Sequence, residues 1–503
     1  MNKKERRLTG SVLIAVVCLA LLTANGCMVG PNYQPPQSTV PTEWIGVTKA
    51  PPDQPSVATA QPVNLAEWWL QFNDPTLTAL IEEALNKNLD LQIAEARLLQ
   101  ARAMRGISVG GLWPALSASA SYQRLRKVEV STNNQYLYQT EDLYQSGFDA
   151  VWELDLFGGL HRALESANAN VQAAIEGIRD AQVSLVSEVA LNYIQLRGYQ
   201  QEIVIALNNL KAQQHTADIT HKLFSVGFAS ALDVANADSN VSTTESQIPV
   251  FEIAAQQSIY SLSVLLARPP ADLLTQLSPI GSLPAIPTQV PAGLPSDLLR
   301  RRPDIRESEA QLHAATAQVG VSIAELFPSF SLTGTVSWSS NLLRTWWSYS
   351  NLSYAVGPSI NWPIFQGGAL VSNVHLQEAL VDQAFLTYQK TVLGAFQDVE
   401  NSLIAFSKEQ HHRKVLSEAV EANRKAVDLS LQLYTEGLID FLNVLNAQRS
   451  LYASEDALVQ SERNIVEDLI SLYKALGGGW DFVPSPSQVS RPKTVAETEG
   501  DIK

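Results

Sequence analysis

The chain has 503 residues and a formal net charge of −15 at pH 7, with a pI near 5.0. Nucleic-acid binding needs a basic surface, so this balance argues against a nucleic-acid partner. The charge is consistent both with an acidic interior that favours cations and with a solvated acidic surface.

The first residues predict a signal peptide, residues 1–26. Four basic side chains precede an apolar run from Leu13 to Leu22, which is too short to span a bilayer. Gly26 directly precedes Cys27, as a lipoprotein signal peptidase requires, although an ordinary cleavage site beside a chance cysteine has the same spacing. We predict N-acyl and S-diacylglycerol lipid on Cys27, contributing about 0.8 kcal/mol per buried methylene. The following Met28 is not the Asp that favours inner-membrane retention, so we expect the outer membrane.

The mature chain is expected to contain no free thiol, because Cys18 leaves with the signal peptide and Cys27 carries lipid. Disulfides and thiolate metal sites are thereby excluded, and stability must come from packing and assembly. Residues 27–64 are predicted to form a lipidated, extended N-terminal segment. No later stretch of about 18 apolar residues predicts a transmembrane helix.

An internal duplication organises the rest of the chain, at a shift of roughly 208 to 214 residues. Four landmarks recur in one order: Asn88-Leu89-Asp90-Leu91 with Arg302-Pro303-Asp304-Ile305, Trp113-Pro114 with Phe327-Pro328, Phe157-Gly158-Gly159 with Phe365-Gln366-Gly367-Gly368, and Phe224-Ser225-Val226-Gly227 with Tyr434-Thr435-Glu436-Gly437. We predict structural repeats 65–266 and 296–476, a Pro-rich connector 267–295 and a C-terminal tail 477–503.

Each half contains two segments in which apolar and polar residues alternate, as in strands with one apolar face. The apolar positions are Leu116, Ala118, Ala120 and Tyr122; Phe148, Ala150, Trp152, Leu154 and Leu156; Leu332, Val336 and Trp338; and Tyr354, Val356, Ile360 and Trp362. A soluble antiparallel sheet packed on a core gives the same alternation. Aromatic residues near the strand ends and the predicted lipid anchor favour a membrane barrel.

The connections between paired strands predict polar loops around Lys127 to Asp142 and Ser340 to Asn351. Pro358 and Pro363 are predicted to lie within the last strand. Proline is confined to strand edges, ends and bulges, so we expect a bend there.

A very long helical pattern follows each Gly-Gly, from about Leu160 to Phe224 and from about Ala369 to Tyr434. In the second copy, apolar residues at spacings of four and three indicate a coiled-coil seam. The seam positions are Val381, Phe385, Tyr388, Val392, Ala395, Val399, Ser402 and Phe406. At ~1.5 Å per residue, each helix would reach on the order of 100 Å.

Gly227 and Gly437 are predicted stops for these helices. Return helices are predicted from Ala231 to Ala267 and from Asp440 to Leu476. Gly477-Gly478-Gly479 has no following Lys-Ser/Thr, so we interpret it as a helix stop rather than a phosphate loop.

Four strands per chain cannot close a barrel, because an open edge in lipid leaves backbone groups unsatisfied and small membrane barrels have about eight strands. The chain must therefore form oligomers. Three copies give about twelve strands, whereas two give only about eight, too few for a wide passage. Strand count alone leaves four chains open.

The residues resemble the outer membrane factors of tripartite efflux and type I secretion, the TolC family, and among them the NodT-like and OprM-like lipoproteins. The marks are Cys27-Met28-Val29-Gly30-Pro31-Asn32-Tyr33, Trp68-Trp69 through Phe72-Asn73-Asp74-Pro75, and Arg301-Arg302-Pro303-Asp304-Ile305-Arg306 leading to Phe327-Pro328-Ser329-Phe330. The resemblance implies a membrane α+β fold: a homotrimeric 12-stranded outer-membrane β-barrel, four strands per chain, continued by a periplasmic α-helical coiled-coil barrel. It also implies a periplasmic adaptor and an inner-membrane pump of the RND type as partners.

The resemblance further implies that the tunnel closes where the long helices turn, with Leu442, Asn443 and Asn446 at the constriction. Family members often carry Asp at the positions of Asn443 and Asn446, so the acidic rings are missing here. Asp440 is the nearest acid and could replace them in part, or it could simply cap the return helix.

Asp233 and Tyr434 match family positions whose hydrogen bond helps to hold neighbouring coiled coils closed. The basic partner found in some members is Ile439 here, so this latch is incomplete. Capping of the return helix is the alternative role of Asp233. The resemblance adds adaptor docking at the turns of Gly227 and Gly437.

No arrangement of residues predicts catalysis. His411-His412 lies near Glu409 but lacks a second ligand cluster, so we expect a solvated pair rather than a metal site. A hydrolase would need a nucleophile and a base held together. The leading hypothesis is a passive export conduit, and the rival is a non-conducting structural or adhesive lipoprotein.

Overall fold

A computed structural model describes residues 28–37, 40–48, 55–59, 65–130 and 136–481. The predicted signal peptide, Cys27 and the tail beyond residue 481 lie outside the described residues. The chain divides into two compact units. Unit 1 comprises residues 1–37, 97–175 and 307–389, and unit 2 comprises residues 38–96, 176–306 and 390–503.

The long elements fall into two series of helix, strand pair, long helix and return helix. They are α1 (Pro75–Lys87), α2 (Leu89–Gly111), β1 (Ala115–Val130), β2 (Tyr136–Leu154), α3 (Gly159–Ser225), α4 (Ala231–Leu265), α5 (Pro303–Ala324), β3 (Ser329–Ser340), β4 (Leu352–Asn361), α6 (Ala369–Thr435) and α7 (Phe441–Ala475). Helices α3 and α6 both have 67 residues, and α4 and α7 both have 35. The element order therefore repeats along the chain, while the limits 65–266 and 296–476 stay a prediction.

Several short elements connect these. Helical turns lie at Ile45–Thr48, Trp68–Phe72, Leu274–Leu277, Pro295–Arg301, Leu343–Thr345 and Tyr349–Asn351, and Val57–Thr59 pairs in parallel with Gln289–Pro291. Among the described residues, no helix is both long and apolar enough to cross a membrane.

In unit 1 the four long strands form one antiparallel sheet in the order β1-β2-β3-β4. Directly paired residues share a face, so the register decides which side chains lie together. The pairs include Ala118 with Phe148, Phe148 with Val336, Trp152 with Leu332, Val336 with Tyr354, and Phe330 with Ile360. The predicted apolar positions that lie within the four strands therefore share one face.

The predicted loop from Lys127 to Asp142 is wrong for most of its length, because β1 and β2 stay paired from Ala115–Val151 to Val130–Tyr136. The polar composition of this stretch predicted a loop, but its charged side chains pair across the two strands. Lys127 Nζ lies 2.9 Å from Glu141 Oε2, and the Arg126 guanidinium lies 4.5 Å from the Tyr138 ring centroid. Cross-strand pairs of this kind stabilise a hairpin without an apolar face.

Three predicted strand residues lie just beyond the strand ends: Leu156, Trp362 and Pro363. Strand β2 stops early because the Asp155 carboxylate accepts a hydrogen bond from the His161 backbone N–H at 2.8 Å, which turns the chain into α3. Pro358 does lie inside β4, on an edge strand, where its missing N–H is tolerated.

In unit 2 the core joins the segment that precedes α1 to the end of α7. Trp68, which is fully buried, stacks on Tyr473 of α7 with ring centroids 5.1 Å apart. The Tyr473 hydroxyl donates to Gln71 Oε1 at 2.7 Å. Gly477 has φ +71° and the Gly478 N–H donates to Tyr473 O at 2.9 Å. The glycine run is therefore a helix stop, as predicted.

Sequence-encoded caps set the start of unit 2's helices. The Asp74 carboxylate accepts from the backbone N–H groups of Thr76 and Leu77 at 2.8 and 3.1 Å, and Pro75 follows at the first helical position. The Tyr193 hydroxyl donates to the other Asp74 oxygen at 2.6 Å. One acid thus caps α1 and ties it to α3.

Candidate functional site at the helix tips

Both long helices end in the same hydrogen-bonded turn. Gly227 adopts φ +84°, its N–H donates to Phe224 O at 3.0 Å, and the Phe228 N–H donates to Leu223 O at 2.8 Å. This is a Schellman motif, which requires the left-handed conformation that glycine adopts without strain. Gly437 repeats it at φ +75°. A Cβ at either glycine would meet nothing within 4 Å, so both turns are open to contact.

The return helices begin differently in the two copies. In α4 the N-cap is Ser230, whose backbone N–H donates to Asp233 Oδ2 at 2.9 Å while the Asp233 N–H donates to Ser230 Oγ at 3.1 Å. Asp233 therefore takes part in capping α4, the alternative role considered for it, but as the third-position partner of a capping box rather than as the N-cap residue itself. Asp440 occupies the N-cap position of α7, but its side chain accepts no capping hydrogen bond.

The three predicted constriction residues Leu442, Asn443 and Asn446 share one exposed face of α7. Positions three and four apart lie on the same side of a helix, so this clustering follows from their spacing. The Asn443 amide donates to Asp440 O at 3.4 Å. The opposite face of α7 is buried.

The buried face of α7 belongs to a group of apolar residues, the tip cluster, to which α3, α4, α6 and α7 all contribute. Its members are Ala217 of α3, Ala237 of α4, Tyr434 of α6, and Phe441, Val444 and Leu445 of α7. Phe441 and the predicted latch residue Tyr434 pack with ring centroids 5.4 Å apart. Ile439, which stands where some relatives have a basic residue, packs against the same cluster.

The structure does not join Tyr434 to Asp233 by a hydrogen bond. The Tyr434 hydroxyl is buried without a hydrogen-bonding partner among the described residues. Burial raises the pKa of Tyr434. The nearby Thr220 side chain lowers this pKa, and the negative charge of Asp233 raises it further. Asp233 is close enough to Tyr434 to interact with it electrostatically. Its carboxylate, however, accepts hydrogen bonds from the backbone N–H and the hydroxyl of Ser230.

Helices α3 and α4 form one helical hairpin, and α6 and α7 form the other. The sequence did not predict the polar contacts between these two hairpins. The Gln448 amide of α7 donates to Thr216 Oγ1 of α3 at 2.8 Å, in a buried position. Nearby, Arg449 Nε donates to Asn240 Oδ1 at 3.4 Å. Gln448 lies one turn after Val444 on the apolar stripe of α7, and this polar residue in a seam was the available signal.

The tip thus has a buried side that holds two hairpins together and an exposed side that carries neutral amides and one leucine. Moving α6 and α7 away from α3 and α4 would expose the tip cluster and break the Gln448–Thr216 hydrogen bond. This arrangement can act as a mechanical closure.

Comparison with solved structures identifies the class of the fold as that of outer-membrane channels. The OprN outer-membrane channel matches with a TM-score of 0.83 at 35% sequence identity, over 91% of this chain and 100% of that chain. The CmeC outer membrane channel of Campylobacter jejuni also gives 0.83, at 22% identity, over 94% and 98%. At that identity the second match shows the fold alone.

The chain belongs to the outer membrane efflux protein family, whose sequence model matches residues 80–268 and 294–478. Nodulation protein T of Rhizobium leguminosarum bv. viciae is 32% identical, over 98% of each chain. The probable efflux pump outer membrane protein TtgC of Pseudomonas putida is 33% identical, over 94% of this chain and 96% of its own. The predicted resemblance is confirmed, and it places the chain in the outer membrane and in efflux.

Proposed function

We propose that the chain is the channel component of a tripartite export system, a passive trimeric conduit from the periplasm to the exterior. No catalytic step is part of this role. A periplasmic adaptor and an RND-type inner-membrane pump are its proposed partners, and the pump supplies the energy. The naming of relatives such as TtgC as efflux pump outer membrane proteins supports this assignment.

The apolar face of the sheet carries the proposal. Its large side chains are exposed in the single chain, among them Leu116 (72%), Tyr354 (79%) and Val356 (74%). Exposed apolar patches of this kind need a membrane or a partner. Strands β1 and β4 are the two edges of the sheet. Pairing β4 of one protomer with β1 of the next satisfies both edges, and three copies give a barrel of about twelve strands.

The helices supply the proposed periplasmic tunnel. At ~1.5 Å per residue, the 67-residue helices α3 and α6 each extend on the order of 100 Å. In a trimer the two similar hairpins of each chain would form a barrel of near six-fold symmetry. We assign its constriction to Leu442, Asn443 and Asn446, and adaptor docking to the open turns at Gly227 and Gly437.

Lipid on Cys27 is the proposed membrane anchor, and no other cofactor is assigned. Acyl chains bury enough methylene groups, at about 0.8 kcal/mol each, for stable attachment. The anchor would hold the chain to the outer membrane independently of the barrel.

Single-channel recording of the purified chain in planar bilayers tests the conduit. We expect discrete pore events, whereas a spacer or adhesive lipoprotein would show none. Val356→Asp places a charge on the apolar face and should reduce the number of insertion events. Ser353→Asp, on the opposite face of the same strand, is the matched control and should insert normally. Equal insertion of both variants would contradict the assignment of the lipid-facing side.

A further inference from the structure

Among the described residues of unit 1, one arginine is nearly fully buried: Arg162, in the first turn of α3, is 2% exposed. Its guanidinium donates to Val29 O at 3.1 Å, to Gly30 O at 3.3 Å and to Asn32 Oδ1 at 2.7 Å. The remaining ion pair is with Glu165 of the same helix, at 2.7 Å. Most of its hydrogen bonds therefore go to a chain segment that precedes it by about 130 residues.

That segment, Met28–Tyr33, has no regular secondary structure, yet it is seated at close range. A Cβ at Gly30 would lie 2.6 Å from the Gly320 Cα, and a Cβ at Gly320 would lie 2.7 Å from the Arg162 Cγ. Gly30 also adopts φ +87°. Gly30 thus allows the segment to approach the backbone of α5 this closely, and Gly320 leaves space for the Arg162 side chain.

Both ends of the segment are held as well. The Val29 N–H donates to Phe157 O at 3.1 Å, and Met28 leaves no space for a side chain at Gly158, where a Cβ would lie 2.7 Å from the Met28 Cγ. Tyr33 stacks on His313 with ring centroids 4.3 Å apart.

A polar network connects these contacts. The Tyr33 hydroxyl donates to Glu309 at 3.1 Å, and His313 Nε2 lies 2.9 Å from the Glu165 carboxylate that also pairs with Arg162. Burial opposes ionisation of Glu165, but hydrogen bonds from His313 and Arg162 lower its pKa, so it stays charged. Side chains of α3 and α5 therefore supply a connected set of hydrogen-bond donors and acceptors that holds the segment.

We propose that Arg162 and its surroundings form a receptor for the chain's own N-terminal segment, which holds the attachment point of the lipid at the junction between β2 and α3. Met28 is bonded to Cys27, so docking of Met28 against Gly158 limits how far the anchor can move from that junction. Arg162 is a positioning residue in this scheme. The anchoring part rests on the proposed lipidation of Cys27, whereas the docking rests on the contacts alone.

The receptor is incomplete without its occupant. Withdrawal of the segment would remove the acceptors at Val29, Gly30 and Asn32 from a buried guanidinium and leave it only Glu165. Hydrogen bonds to a charged group are stronger than those between neutral groups, so these three contacts favour the docked state.

Chymotrypsin digestion of the full-length protein in detergent tests the proposal, with Tyr33 as the reporter. Proteolysis follows the population of the undocked state when opening is fast. We expect slow cleavage after Tyr33 in the wild type and cleavage at least about tenfold faster in Arg162→Gln. Arg105→Gln removes an exposed arginine of unit 1 that bonds to Asn168, and it should cleave at the wild-type rate.

A second variant covers the case in which Arg162→Gln fails to fold. Gly30→Ala alters only the segment, since its methyl group would collide with the Gly320 backbone, and it should also accelerate cleavage after Tyr33 by about tenfold. Equal rates in the wild type, Arg162→Gln and Gly30→Ala would overturn the proposal.

The released peptide separates the two ideas. Its mass reports whether Cys27 is acylated. An unmodified peptide released slowly from the wild type would refute the lipid anchor and leave the docking intact. An acylated peptide released equally fast from every variant would refute the docking and leave the anchor intact.

Discussion

Replacing Gln448 by methionine is expected to loosen the closed tip. Methionine keeps the length of the side chain and its packing on the apolar stripe, but it cannot donate to Thr216 Oγ1, which lies 2.8 Å from the amide nitrogen in a buried position. Thr216 still donates to Ala212 O at 3.0 Å. Only its acceptor capacity is left unused, so the cost should lie near 1 kcal/mol per protomer.

In the proposed trimer, three such losses sum to about 3 kcal/mol if the protomers open together, which raises the open-to-closed ratio by roughly a hundredfold. Open probability in planar-bilayer recordings is the measurement. Ser450→Ala, at an exposed position of the same helix, is the control and should leave the open probability unchanged.

A double-mutant cycle makes this test specific to the hydrogen bond. Thr216→Val alone should open the channel, whereas Thr216→Val with Gln448→Met should be no more open than either single variant, because replacing both partners by apolar groups leaves neither unsatisfied. Strictly additive effects, or a wild-type open probability in Gln448→Met, would refute the reasoning.

The remaining predictions concern selectivity, backbone conformation and pH. Asn443→Asp with Asn446→Asp should increase cation selectivity, read from reversal potentials in a salt gradient; unchanged selectivity would mean that these residues do not line the constriction. Gly227→Ala should lower stability by about 1 kcal/mol because of its positive φ, whereas Gly394→Ala, inside α6 with open space around it, should raise it by about 0.5–1 kcal/mol; thermal unfolding distinguishes the signs. Burial and two neighbouring carboxylates raise the pKa of Asp468 to about 7, so stability should fall as pH rises from about 4 to 7, and Asp468→Asn should lose this slope. Equal dependence of Tm on pH in both proteins would contradict that assignment.

Local rules sufficed for much of the fold. The stops at Gly227 and Gly437 were predictable because a helix that ends in a left-handed residue selects glycine. The sheet followed from alternation with period two, and the repeat gave two independent views of each element. Helix α6 illustrates the limit of the coiled-coil pattern: Val392 and Val399 of its predicted seam are buried, whereas Phe385 is exposed.

Contacts between residues far apart in sequence were not predictable from local pattern. Thr216 and Gln448 are 232 residues apart, and although its place on the apolar stripe singles out Gln448, no local pattern identifies Thr216 as its partner. The contacts around Arg162 depend on close approach between Gly30 and Gly320. In the sequence these are only two isolated glycines. Capping was one of the two roles considered for Asp233, but its partner Ser230 was not recognised, although the spacing of a capping box was present in the sequence.

In the proposed conduit, the tip cluster would hold the entrance closed without acidic rings. A charged latch would hold α6 and α7 to α3 and α4 through exposed ion pairs, which contribute about 0–1 kcal/mol each and weaken in salt. Here Phe441, Val444 and Leu445 are almost fully buried instead, and each such side chain contributes about 1.5–3 kcal/mol. The contact between the hairpins is therefore mainly apolar, and the Gln448–Thr216 hydrogen bond adds one buried polar contact to it. It follows that raising the salt concentration should leave the closed state of this channel unchanged, while an exposed-ion-pair latch would loosen.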